Sequence, residues 1–117
     1  MFEIDNLEMS KVEYSFEKTA EGTYKFQTPY VYSNGDKQEL YVSEGEIDPE
    51  DPDEKIVRIS DNGYCLKRGF FKKPDRKVHF GTVRISPDGA IHVEMPYAYF
   101  GKGVEILTRF ISEIDEH

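Results

Sequence analysis

Seven carboxylates and no cation fill the run from Glu44 to Glu54: Glu44, Glu46, Asp48, Glu50, Asp51, Asp53 and Glu54. The segment from Lys67 to Lys77 inverts the pattern. It sets Lys67, Arg68, Lys72, Lys73, Arg76 and Lys77 against the single acid Asp75, with Phe70 and Phe71 between them. Ordered carboxylates are what a basic protein groove recognises, and proteins that mimic nucleic acid present such rows to nucleases or repressors. Basic residues interleaved with aromatics suit single-stranded nucleic acid, neutralising phosphates while bases stack on the rings. The chain thus offers two surfaces of opposite sign.

Other reactive residue types do not assemble into a known pattern. Cys65 is the only cysteine and sits among apolar neighbours, where a thiol reads as a small hydrophobe. Nothing in the spacing brings it to His79 or His92, as nucleophilic catalysis requires. No serine occupies a Gly-x-Ser-x-Gly elbow. His79, His92 and His117 lack metal-ligand spacing, and one cysteine cannot build a zinc knuckle. The acidic run lacks the Asp-x-Asp-x-Asp-Gly order of a calcium loop, and its prolines oppose wrapping around an ion. With 23 acids, some pair falls within glycosidase range by chance, so none is singled out. Gly101-Lys102-Gly103 precedes a helix without the Gly-Lys-Ser/Thr ending of a phosphate loop, and reads as a flexible joint. No pattern calls for a cofactor or a metal.

Composition narrows the class. The 117 residues are the size of one domain, and the net charge of −8 opposes whole-body docking on an anionic polymer or membrane. It favours a basic protein partner. Apolar residues make up 38% and charged residues 32%, so eight Tyr and eight Phe must supply much of the core. A lone cysteine excludes an internal disulfide and fits a reducing cytosol. The first residues carry no basic, apolar leader pattern, and no stretch reaches the roughly 18 apolar residues of a membrane span. The expected location is the cytoplasm of a bacterial cell or a phage-infected host.

The elements that must position these groups are mostly strands. Val12, Tyr14 and Phe16 alternate with Glu13, Ser15 and Glu17; Tyr24, Phe26 and Tyr30 to Tyr32 follow the turn Ala20-Glu21-Gly22. Asn34-Gly35 predicts a type I′ hairpin into Leu40, Tyr41 and Val42, with Pro29 interrupting the ladder. The acidic run is a solvated loop. Ile56 to Ile59 form a strand ending at Asp61-Asn62-Gly63, where positive φ is called for, and Asp36 is given the same role beside Gly35. Phe80 to Ser86 and Ala90 to Met95 flank Pro87-Asp88-Gly89, a type I turn closed by a glycine bulge, with Ile85 opposite Ile91. Val104, Leu107, Ile111 and Ile114, widened by Phe110, predict the single convincing helix, with Glu116 on its outer side. Residues 1–10 are an arm or a short helix.

Several of these pieces also resemble a known family. Thr28-Pro29-Tyr30, Gly35-Asp36, Leu40-Tyr41-Val42, Arg58-Ile59-Ser60-Asp61-Asn62-Gly63-Tyr64, Asp88-Gly89-Ala90-Ile91 and a closing Val104-x-x-Leu107-x-x-Phe110-Ile111 helix are similar to a bacterial and prophage-borne family. It is the domain-of-unknown-function family numbered eighteen twenty-eight. The likeness spans residues 28 to about 114, with an acidic insertion before the Ser-Asp-Asn-Gly-Tyr turn and Tyr30 where that family more often has Phe. It implies a small cytosolic domain of bacterial or phage origin and assigns no catalytic residue.

These readings converge on one α+β domain, an antiparallel sheet of about five or six strands with a C-terminal helix on one face. The leading expectation is a non-enzymatic, phage- or mobile-element-borne interaction module whose acidic residues bind a basic partner and inhibit a host defence or nucleic-acid enzyme. Single-stranded nucleic-acid binding through residues 67–77 is the alternative, and an enzyme ranks third. The basic segment could instead fold onto the acidic loop of its own chain or of a second copy in a homodimer.

Overall fold

The computed structural model describes residues 14–20, 22–46, 49–51 and 53–115. The expectations for the arm at 1–10, for Val12, Glu13 and Glu21, for Asp48, and for Glu116 and His117 lie outside the described residues. Strands β1 (Phe16–Ala20), β2 (Thr23–Val31), β3 (Lys37–Glu44) and β4 (Ile56–Ser60) follow one another across the sheet. After a one-turn helix α1 (Tyr64–Lys67) come β5 (Val78–Phe80), β6 (Val83–Ile85) and β7 (Ile91–Pro96). A 3-10 turn (Tyr97–Tyr99) then leads into helix α2 (Phe100–Asp115). All pairings are antiparallel, in the order β1-β2-β3-β4-β7-β6-β5. The fold is α+β as expected, with seven strands among the described residues rather than five or six.

Alternation decides which way each residue points. In register, Tyr24, Val42, Ile59 and Val93 form one row across four strands, all at 5% exposure or less. Helix α2 lies on that face and buries Phe100, Val104, Leu107 and Ile111. The next row belongs to the opposite face and is polar: Lys25, Tyr41, Ser60, His92, Arg84 and His79. Side chains from three elements tie the helix down. Gln38 Oε1 accepts from the Thr28 and Thr108 hydroxyls at 2.5 and 3.0 Å. Asp115 accepts from Tyr30 OH and from the Ser33 N–H and hydroxyl, at 2.5, 2.9 and 2.7 Å, which moors the helix end to the β2–β3 turn. Phe100 sits against Phe26, with Tyr14 and Phe16 completing an aromatic cluster at ring separations of 5.1 to 6.2 Å.

Four expectations need correction. Phe80 to Ser86 is not one strand: Phe80 pairs with Val83 around Gly81 (φ 61) and Thr82, a two-residue hairpin with glycine first, which creates the seventh strand. The Asn34-Gly35 turn is not type I′, because Gly35 has φ 91 while Asn34 stays out of the left-handed region. Instead Gly35 N–H donates to Tyr32 O and Tyr32 N–H to Asp36 O, a three-residue loop like that at Pro87-Asp88-Gly89. The tail is not the only helix, since α1 follows β4. Gly101 and Gly103 are not a joint; both lie within α2. A Cβ on Gly103 would fall 2.4 Å from Met95 Sδ and 2.9 Å from Ile59 Cδ1, so its absence lets the helix approach the sheet. Pro29 behaves as expected, with the β2–β3 register slipping between Gln27 and Val31.

The two glycines therefore predict opposite effects. Gly101→Ala meets open space and raises stability by about 0.5–1 kcal/mol through helix propensity. Gly103→Leu lowers it by about 1–3 kcal/mol through overpacking. Urea unfolding midpoints read both, and equal shifts for the pair would contradict this account of the helix–sheet contact.

Candidate functional site

The turn between β4 and α1 organises the surfaces that follow. Asp61 is 1% exposed. Its Oδ1 accepts from the Gly63 and Ile91 N–H groups, each at 2.9 Å, and its Oδ2 accepts from the Cys65 N–H at 3.1 Å. The Asp61 N–H in turn donates to Ile91 O at 3.0 Å. Asn62 (φ 55) and Gly63 (φ 83) take the left-handed conformations that this reversal requires. One buried carboxylate thus caps α1 and staples it to the start of β7. Asp36 plays a different part from the one expected of it. It does not have positive φ; its carboxylate accepts from Tyr64 OH at 2.5 Å and pairs with Arg68 at 3.4 Å.

Beside this turn the polar sheet face forms a groove of about 490 Å³, lined by Asp36, Lys37, Glu39, Tyr41, Asn62, Tyr64 and Lys67 among others. The Tyr64 ring stacks on Tyr32 at 4.4 Å. Burial, then the hydrogen bond to Asp36, pushes the Tyr64 phenol up, so it acts as a neutral donor. The groove's lining includes the carboxylates of Asp36, Glu39 and Asp61 and the lysines Lys37 and Lys67.

The acidic run is the β3–β4 connection. Gly45 N–H donates to Ile56 O at 2.9 Å, closing its base, and Glu54 N–H donates to Asp51 O at 3.2 Å. Glu44, Glu46, Glu50, Asp51 and Asp53 are exposed and Glu54 is half-buried. The 3-10 turn abuts the base of the loop through Tyr97 N–H to Lys55 O at 2.8 Å, and Tyr99 beside it is 61% exposed. Sequence patterning did not single out Tyr99, because an aromatic before a helix usually packs inward.

The basic segment leaves from the other end of β4. That strand has five residues, about 17 Å at 3.4 Å per residue, and it separates the two ends from which these segments run. Lys67 closes α1, and Arg68 lies over the Tyr64 ring at 5.9 Å. Phe70 packs on Tyr32 and Tyr64 at 5.9 and 6.3 Å, and Phe71 also packs against the core. Lys72, Lys73, Arg76 and Lys77 remain exposed. The aromatics between the cations therefore point into the protein rather than toward a nucleic acid.

Cys65 is fully buried. Burial, reinforced by the charge of Asp61, pushes its thiol well above the ordinary range and keeps it protonated. Among the described residues no group of three or more His, Cys, Asp or Glu could hold a metal ion, and no helix is long and apolar enough to cross a membrane. His92 was not anticipated as a buried group. It is 3% exposed, with Nδ1 at 3.3 Å from Ser86 Oγ, 3.4 Å from Ala90 O and 3.5 Å from Arg58 Nη2. Burial, then the Arg58 charge, holds its imidazole below the usual range.

Two outcomes follow. Asp61→Asn puts an NH₂ against at least one of three buried N–H groups and lowers stability by about 2–4 kcal/mol. A urea-midpoint loss equivalent to less than about 1 kcal/mol would contradict the staple. For His92 the folded state binds fewer protons than the unfolded chain, whose imidazole titrates near 6.5. Its contribution is therefore complete above about pH 6.5 and is lost as pH falls below that value. The urea midpoint should drop between pH 7.5 and 5, and His92→Gln should flatten that slope.

No family model matches this chain, and no curated protein or solved structure matches it either. What it binds must be argued from its own surfaces.

Proposed function

We propose that the chain is a non-enzymatic interaction module that binds a basic protein partner through the end of the sheet where β4 begins. The observation that carries this reading is the exposure of Tyr99 beside the solvated carboxylates of the β3–β4 loop. An exposed tyrosine with an acidic rim has the anatomy of a binding anchor: the ring supplies buried area, and the carboxylates steer and select a cationic surface. Glu44, Glu46, Glu50, Asp51, Asp53 and Glu54 form that rim. The resemblance to a prophage-borne family adds a context: an accessory protein in the cytoplasm of a bacterial cell or infected host that occupies the basic groove of a defence or nucleic-acid enzyme. Single-stranded nucleic-acid binding by residues 67–77 ranks lower because Phe70 and Phe71 are engaged in the core.

Affinity capture from host lysate with the intact chain tests the proposal. Tyr99→Ala should weaken capture of a basic partner about tenfold or more, a loss near 1.4 kcal/mol. Replacing Glu50, Asp51, Asp53 and Glu54 by their amides should slow association and reduce its salt dependence. Undiminished capture by both variants would refute the assignment. Salt-sensitive retention on single-stranded DNA, abolished by Lys72→Glu with Lys73→Glu, would favour the nucleic-acid reading instead.

A further inference from the structure

Lys72, Lys73, Arg76 and Lys77 lead straight into an edge of the sheet. Strand β5 is the last in the order and, among the described residues, pairs with β6 alone. Residues flanking a two-residue hairpin loop are a hydrogen-bonded pair, so Phe80 and, two positions back, Val78 turn their backbone groups toward β6. The N–H and C=O of His79, between them, therefore point out of the sheet. Such an edge is a template for a further strand, and natural edges are blunted by brevity and by charge. This one has three residues, with Lys77 before it. Phe80 runs against that protection: it is 52% exposed, and its ring lies 5.4 Å from that of Phe110 on α2.

The two faces of this edge differ in chemistry. On the helix face an incoming side chain meets Phe80 and Phe110, with the exposed Glu113 one turn beyond Phe110. On the polar face it meets His79 and Lys77, whose charge reaches the His92 ring of that same face. Lys72, Lys73, Arg76 and Lys77 are all exposed, and none of the ion pairs among the described residues engages them. Asp75 is the one acid in their segment. The net charge of −8 resides elsewhere in the chain, and at physiological salt its field decays within about 8 Å.

We propose that the β5 edge docks an extended, acidic segment of a partner protein as an added strand. The His79 backbone exchanges hydrogen bonds with the segment, an apolar side chain covers Phe80 and Phe110, and carboxylates face Lys77 and the cations before it. Glu113 makes alternation matter: a carboxylate on the helix face meets a like charge, so alternating acidic and apolar residues fit better than an unbroken acidic run. Nucleic acid fits less well, because one half-covered ring offers little stacking and a nucleotide cannot continue the ladder. A second copy of the chain fits less well too, since its acidic run carries Pro49 and Pro52, which remove ladder donors. The surface uses no residue of the acidic end and is independent of the Tyr99 assignment.

The probe is a capped, labelled peptide alternating Glu and Val around a central Phe, titrated against the full chain. One control keeps its composition but gathers the charged and the apolar residues into separate blocks; another carries Lys in place of Glu. Fluorescence anisotropy reads binding, and amide hydrogen exchange reads the His79 N–H. The alternating acidic peptide should bind saturably, bind more weakly as salt rises, and slow His79 exchange about tenfold or more as that N–H gains an acceptor. Phe80→Ala should weaken binding about tenfold. Arg76→Glu with Lys77→Glu should weaken it as much, whereas Tyr99→Ala should leave it unchanged. The charge reversal lies outside the strands, so it decides the case if Phe80→Ala does not fold. Absence of binding at roughly 1 mM peptide, equal binding of either control, or unchanged His79 exchange would overturn the proposal. Tighter binding of single-stranded DNA, or self-association in sedimentation, each lost on the same charge reversal, would overturn it in favour of nucleic acid or a second copy.

Discussion

The Asp61 carboxylate joins three elements at the end of β4. It satisfies N–H groups of Gly63, Cys65 and Ile91, which belong to the turn, α1 and β7. A helix of four residues has almost no stability of its own, because nucleation is not recovered within a single turn. Here the buried acceptor supplies what the missing turns cannot. With α1 in place, Cys65 enters the core, Tyr64 stacks on Tyr32, and Leu66 rests on Gly89 at the β6–β7 turn. The direction in which the basic segment leaves the sheet follows from that docking.

Topology then sorts the charges. The acidic loop enters β4 and the basic segment follows it, so a short central strand keeps the two apart. One helix covers one face of the sheet and leaves the other polar. On that face, the half built from β1, β2 and β3 carries Glu17 and Glu39, with Lys25 bridging them at 3.4 and 3.2 Å. The half built from β4, β7, β6 and β5 carries the arginines and histidines. Among the described residues the Arg58 guanidinium contacts His92 Nδ1 at 3.5 Å, while Glu94 across from it pairs with Arg84 at 4.0 Å.

Period-two alternation made most strands legible, because one face of each is buried and a slip of one residue would invert every side chain. The helical stripe Val104–Leu107–Ile111 was legible for the same reason at its own period. The Gly81–Thr82 hairpin was not, although the phase of the alternation shifts there: Phe80 shares a face with Val83, three positions on. Helix α1 is too short to show any period. Asn34-Gly35 was read as the commonest turn for its dipeptide, but the preceding Ser33 joined the loop and moved the positive φ onto glycine alone. At the candidate surfaces, the charged runs were visible as composition. The inward packing of Phe70 and Phe71, the exposure of Tyr99, and the meeting of Arg58 with His92 were not.

The amino-acid order alone determined the α+β class, the alternating faces, the terminal amphipathic helix and the separation of acidic from basic stretches, because each is a local pattern that adjacent residues encode. Only the tertiary structure decided that Asp61 is a buried acceptor, that Gly103 is a point of close approach, and that the Arg58 guanidinium contacts an imidazole. Each of these involves one pair roughly 30 or more positions apart, Asp61 with Ile91, Gly103 with Ile59 and Arg58 with His92, brought together by strand register, and no window of neighbouring residues contains that distance.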